Sequence, residues 1–206
     1  MGLKFSYTLL APIYDSIVSS TTQEMRLTSL KRLDLAGPQK ILINGIGTGL
    51  DIPFLPEQHN YTGTDITPAM LDICKTRLSK SNLSLDLHTA DVMQLPFNDN
   101  QFDIVLMNLI LAVVPDPLLA LQEATRVVKP GGNIFIMDKF IRPGHFAPTR
   151  RLMNMFLKHI ATRTDVVFEE LLEQCPDIIL TQDTPSLMNG WFRLIDLKKS
   201  NVENQN

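Results

Sequence analysis

One segment, Ile41-Leu-Ile-Asn-Gly45-Ile-Gly47-Thr-Gly49, limits what this chain can fold into more than any other. A short apolar run, Lys40 to Asn44, reads as a buried strand and opens directly onto three glycines. Glycines so spaced let the backbone turn tightly and approach a ligand with no β-carbon in the way. Asp65 stands twenty residues beyond Gly45, at the end of a second predicted strand, Tyr61–Thr64. An acid at that place can accept hydrogen bonds from both hydroxyls of an adenosine-type ribose. A dinucleotide fingerprint would need its third glycine at position 50, which is Leu50. The spacing therefore suits a cofactor without a pyrophosphate and disfavours a nicotinamide oxidoreductase. Taken alone, the loop also fits a plain glycine turn followed by an exposed acid.

The rest of the chain repeats an alternation of strand and helix. A helix is predicted from Pro68 to Leu78, a strand over Leu83–His88 and another over Asp103–Leu106. Leu118–Val128 has helical spacing, and Lys129-Pro130-Gly131-Gly132 reads as a turn into a strand over Asn133–Met137. Ile178–Gln182 and Trp191–Leu197 complete seven predicted strands. Such alternation predicts an α/β fold, Rossmann-like, with a mostly parallel seven-stranded sheet and helices on both faces. A single domain is expected. Residues 1–35 form an N-terminal helical lid, 36–140 a cofactor-binding core, 141–175 a substrate-side helical insertion and 176–199 the C-terminal strands.

Composition excludes several alternatives. The 206 residues carry a formal net charge of −3, so no global positive field recruits nucleic acid. Cys74 and Cys175 are far apart and lack metal-ligand spacing, which argues against a zinc site or a disulfide framework. No metal is expected, and reduced thiols suit a cytoplasmic protein. The opening Met1-Gly-Leu-Lys-Phe-Ser lacks the pattern of a secretory signal, and the apolar run Ile104 to Pro115 is interrupted by Asn108.

Three further segments sharpen the reading: Thr89-Ala90-Asp91-Val92, Gln101-Phe102-Asp103-Ile104-Val105-Leu106 and Arg126-Val-Val-Lys-Pro-Gly-Gly132. With the glycine loop and Asp65, this ordered set resembles the class I S-adenosylmethionine-dependent methyltransferases over about residues 36–140. The resemblance implies S-adenosyl-L-methionine as cofactor, with Gly45, Gly47 and Gly49 supporting its methionine part. It implies that Asp65 binds the ribose and Asp91 the adenine amino group. Ile66, Met70 and Val92 would line the adenine pocket, and Asn108 joins the cofactor-binding set. One departure stands out: the family carries Asp or Glu two residues before the first glycine, and this chain has Ile43. If the missing carboxylate weakens the grip on the cofactor's ammonium end, an acid restored at position 43 should tighten binding.

Within the class, the chain is similar to small bacterial phosphatidylethanolamine N-methyltransferases. Its length, Ala11-Pro-Ile-Tyr14-Asp15 and Val113-Val-Pro-Asp-Pro117 carry that likeness. Ubiquinone and menaquinone C-methyltransferases share much of the pattern. The resemblance implies a small-molecule or lipid acceptor, with an amine headgroup that must lose a proton before attack. Tyr14, Asp138 and His145 are the candidates to assist. Between Lys139 and Thr164 there are six basic residues and no acid, with Leu152, Phe156 and Ile160 on one helical face. Such a stretch suits either packing on its own sheet or peripheral contact with an anionic membrane face. An O-methyltransferase of a hydrophobic small molecule, or a protein that binds the cofactor without catalysis, fits the same motifs. The oligomeric state is left open.

Overall fold

Alternation of side chains along the strands builds this molecule. The computed structural model describes residues 23–33, 35–141, 166–186 and 191–201. In strand β1 (Lys40–Asn44), Ile41 and Ile43 join one apolar cluster and Leu42 joins another. Strand β4 (Phe102–Asn108) divides the same way, with Ile104 and Leu106 in the first cluster and Val105 and Met107 in the second. Successive residues of a strand face opposite sides of the sheet, so the two clusters are its two covered faces.

The remaining strands are β2 (Asn60–Asp65), β3 (Ser84–Thr89), β5 (Val128–Lys139), β6 (Ile178–Pro185) and β7 (Phe192–Lys199). Among the described residues they form one seven-stranded sheet in the order β3-β2-β1-β4-β5-β7-β6. The first five strands run parallel, and β7 lies antiparallel between β5 and β6. The order reverses between β1 and β4, which opens a crevice beyond the carboxyl ends of those two strands.

Helices cover both faces. Residues 23–30 are helical (α1) and pass into a 3₁₀ turn at Lys31–Leu33; Leu30 and Leu33 pack with Leu71 and Cys74 of α2 (Pro68–Leu78). On the other face lie α3 (Pro117–Val127) and the short α4 (Phe168–Leu172). The start of α3 is set locally: Pro117 occupies its first turn, and the Asp116 carboxylate accepts from the Leu118 and Leu119 amides at 3.0 and 3.2 Å. Pro117, Ala120, Leu121, Ala124 and Val127 then recur at helical spacing and are buried. Among the described residues, no helix is long and apolar enough to cross a membrane.

One expectation changes. The Lys129–Gly132 turn is part of β5: between Phe102↔Val128 and Ile104↔Asn133, two steps on β4 are matched by five on β5. The glycines thus absorb a bulge within a paired strand. The stretch after the glycine loop is one 3₁₀ turn, Ile52–Phe54, because Pro53 and Pro56 have no N–H with which to continue an α-helix.

Helix α3 provides a clean test of the core. Leu121 is fully buried and Leu119 is 46% exposed. Leu121→Ala should cost about 2–5 kcal/mol in chemical denaturation, and Leu119→Ala well under 1 kcal/mol. Equal losses would contradict this assignment of faces.

Candidate active site

The site begins where β1 ends. Gly45, Gly47 and Gly49 all have positive φ (70°, 58° and 77°), which an L side chain rarely adopts. At Gly49 a β-carbon would come within 2.6 Å of Ile52 and 2.8 Å of Cys74. At Gly47 a β-carbon would meet nothing within 4 Å, so the loop presents bare backbone to open space there. That is the approach surface a ligand needs.

Asp65, at the end of β2, locks this loop. Its Oδ2 accepts from the Gly47 amide at 3.0 Å and its Oδ1 from the Thr67 amide at 2.8 Å. Burial pushes the Asp65 carboxyl up from its ordinary pKa, while those two amides pull it back. The neighbouring Ile66 is 43% exposed beside this carboxylate, a bare apolar surface of the kind a purine covers. The Asp65 carbonyl accepts from the Ala90 amide at 3.1 Å, which brings the end of β3 alongside. There Asp91 is half-buried, with its Oδ1 accepting from the Met93 amide, while Val92 and Met70 are buried. The structure therefore gathers Gly45, Gly47, Gly49, Asp65, Ile66, Asp91 and Asn108 at the adjacent carboxyl ends of β1 to β4. A loop with open backbone, a fixed carboxylate and an exposed apolar flank fit an adenosyl cofactor.

Asn108 ends β4 and belongs to a buried network. Its Nδ2 donates to Asp51 Oδ2 at 3.2 Å, and its Oδ1 accepts from the Ser29 hydroxyl at 3.0 Å. Asp51 Oδ1 accepts from Arg26 Nη1 of α1 at 2.6 Å. Arg32 donates to the Ser29 hydroxyl at 2.6 Å and to Asp196 of β7 at 2.5 Å, which ties the crevice to the far side of the sheet. Sequence reasoning missed Asp51, Ser29 and Arg26. The one signal for Asp51 was a carboxylate set among Leu50, Ile52 and Phe54.

Two residues singled out in the sequence are buried. Ile43 is 1% exposed and packs with Leu33, Ile41 and Leu106, so position 43 belongs to the core. A carboxylate restored there would enter this apolar cluster, so thermal melts must accompany the titration that looks for tighter cofactor binding. Asp138 was a candidate base, and burial does raise its pKa to about 6. However, its Oδ2 accepts from the Ala112 amide at 3.1 Å and its Oδ1 from the Lys139 amide at 2.8 Å. It straps the segment after β4 to β5. Tyr14, His145 and most of the basic stretch lie outside the described residues. A second concave pocket, about 440 Å³, lies at the opposite ends of the strands, where β4, β5 and β6 begin, and is lined by Asp99, Arg126, Asp177 and Lys199. Its cations are engaged within the protein: Arg126 with Glu123 and Asp99, Lys199 with Asn100 and the Val128 carbonyl.

Residues 42–136, which contain the glycine loop, Asp65, Asp91 and Asn108, match a family model described as a methyltransferase domain. That match covers just under half of the chain. Its relatives agree. A phosphatidylethanolamine N-methyltransferase from Cereibacter sphaeroides is 25% identical over 190 residues, 91% of this chain and 93% of that protein. A demethylmenaquinone methyltransferase from Staphylococcus haemolyticus is 43% identical over 77 residues, which is 37% of this chain and 32% of that protein. One from Bacillus cereus is 34% identical over 112 residues, 51% of this chain and 47% of that protein. The chain thus spans less than half the length of these two quinone-directed relatives. Among solved structures, the [4+2]-cyclase SpnF superposes with a TM-score of 0.77 at 18% identity, over 97% of this chain and 95% of that one. An S-adenosylmethionine-dependent methyltransferase from Methanosarcina mazei superposes with a TM-score of 0.66 at 19% identity, over 82% of this chain and 96% of that one. The methyltransferase is an S-adenosylmethionine-dependent enzyme with a Rossmann-like fold.

The role of Asp65 can be checked directly. Two charge-assisted hydrogen bonds to ribose hydroxyls are together worth about 3–6 kcal/mol. Asp65→Ala should therefore weaken S-adenosylmethionine binding by about 100-fold or more in calorimetry, with a cooperative thermal melt retained. Unchanged affinity in the folded variant would refute the ribose assignment.

Proposed function

We propose that this methyltransferase methylates the amine headgroup of a phospholipid. One observation carries the reading: the similarity to the phosphatidylethanolamine N-methyltransferase runs through 91% of this chain and 93% of that protein. It therefore includes the segments on both sides of residues 42–136, where residues that select an acceptor must lie. The acid-free stretch between Lys139 and Thr164 supports the same reading, because basic residues beside an apolar stripe suit an anionic bilayer surface. A headgroup acceptor must be reached at such a surface, so peripheral membrane contact is part of the proposal.

S-adenosylmethionine supplies a methyl group activated on a sulfonium sulfur. The chain's task is alignment, which can lower the barrier by about 7–11 kcal/mol when the nucleophile is held in line. In this reading Asp65 takes the ribose hydroxyls and Asp91 the adenine amino group, with Ile66, Met70 and Val92 against the purine. Gly45, Gly47 and Gly49 bear the methionine part. Asp138 acts by holding the segment after β4 in place. Tyr14 and His145 are proposed to receive the proton that an ammonium headgroup must lose.

A second reading is methylation of a quinone carbon, favoured by the 43% identity over 77 residues to the Staphylococcus haemolyticus demethylmenaquinone methyltransferase. One assay separates the two. The protein is incubated with methyl-labelled S-adenosylmethionine and vesicles holding both phosphatidylethanolamine and demethylmenaquinone. Label should enter the phospholipid headgroup. Label in the quinone alone would replace the proposal with the second reading.

A further inference from the structure

The methyltransferase departs from its family's pattern at the point where that pattern grips the cofactor's amino-acid end. Position 43 is an isoleucine sealed in the core and offers no carboxylate. Two other carboxylates at strand ends accept from backbone amides: Asp65, given to the ribose above, from Gly47 and Thr67, and Asp138 from Ala112 and Lys139. Asp51 differs. It lies two residues beyond Gly49, its side chain is 7% exposed, and its partners are side chains only: Arg26 Nη1 at 2.6 Å and Asn108 Nδ2 at 3.2 Å. Arg26 reaches it from α1 across 25 residues of sequence, and Asn108 across 57. The chain has thus assembled an opposite-charge pair at the mouth of the glycine loop, beside the β1/β4 switch point.

The amino-acid end of S-adenosylmethionine carries an ammonium and a carboxylate side by side. A lone acid complements only the first; an adjacent Asp and Arg complement both. A neutral pair can also accept a neutral zwitterion without leaving net charge in a poorly hydrated crevice. We propose that Arg26 and Asp51 hold the zwitterionic amino-acid end of the cofactor, Asp51 receiving the ammonium and Arg26 the carboxylate. Asn108 keeps Asp51 in place through its amide, and Ser29 keeps Asn108 in place through its hydroxyl. The work the family gives to a strand-end acid is here moved eight positions along, to the turn after the loop. The fork of an Arg suits a carboxylate better than a Lys point charge. This inference rests on the glycine loop being the cofactor's loop, and the ligands of the test separate the two claims.

Calorimetry would use wild type, Asp51→Asn, Arg26→Gln and Arg26→Lys. The ligands would be S-adenosylhomocysteine, which has both charges of the amino-acid end, and 5′-methylthioadenosine, which has neither. Asp51→Asn and Arg26→Gln should weaken S-adenosylhomocysteine by tenfold or more and change methylthioadenosine by less than twofold. Removing one partner of a buried pair can prevent folding, so thermal melts accompany each titration. Arg26→Lys preserves the charge and should still weaken S-adenosylhomocysteine severalfold with methylthioadenosine unchanged. Folded variants that bind S-adenosylhomocysteine as wild type does, or that lose both ligands equally, would overturn the assignment. Wild type that binds neither ligand would overturn the cofactor loop itself.

Discussion

The Gly47 amide bound to the Asp65 carboxylate is the contact on which the rest of the site depends. It joins the loop after β1 to the end of β2, so that the two strands deliver one rigid rim. The Ile46 amide adds to it by donating to the Thr64 carbonyl at 2.8 Å. A glycine loop with three positive φ values would otherwise be free to collapse or wander, because glycine gains most from disorder. Holding the carboxylate in a buried place has a desolvation cost, which the two backbone amides partly offset. The result is an acceptor fixed before any ligand arrives, and preorganisation of this kind reduces the cost of binding.

The second governing feature is how polarity is distributed at the end of β1. Ile43 faces the cluster beneath α1 and α2, while Asn44 faces the opposite side and is fully buried. The Asn44 side-chain oxygen accepts from the Thr64 hydroxyl at 3.3 Å, and its amide nitrogen has no partner among the described residues. The crevice therefore lacks a carboxylate on the strand itself, and its nearby charge comes from Asp51 and Arg26. That arrangement makes α1 part of the site: Arg26, Ser29 and Arg32 connect the glycine loop to β7 through consecutive hydrogen bonds. Geometry at the cofactor end is thus coupled to β7, the strand beside the β6 edge.

Much of this was readable beforehand, for reasons that are local. Pro68–Leu78 is bounded as expected, because Pro68 and the run of helix formers after it act within a few residues. The strand, the glycines and Asp65 were recognisable because a tight turn and a ribose acceptor need those residue types at that spacing. The Lys129–Gly132 turn was misread, since proline and glycine mark a break in a lone strand but only a bulge in one paired on both sides. The burial of Asp138 was not legible, because sequence shows charge and hides packing. The Arg26–Asp51–Asn108 contacts were not legible, although Asn108 itself was singled out, since the three residues meet only after the sheet has formed. The order β5-β7-β6 is likewise a property of the closed sheet and not of any segment within it.

All of these features converge on the claim that the β1/β4 crevice seats an adenosyl cofactor with its ribose on Asp65. A crystal structure with S-adenosylhomocysteine tests this most directly. The account predicts both ribose hydroxyls within hydrogen-bond distance of the Asp65 carboxylate, the purine against Ile66, and the sulfur end over the bare backbone at Gly47. Density for the ligand at any other place, or a ribose turned away from Asp65, would contradict it.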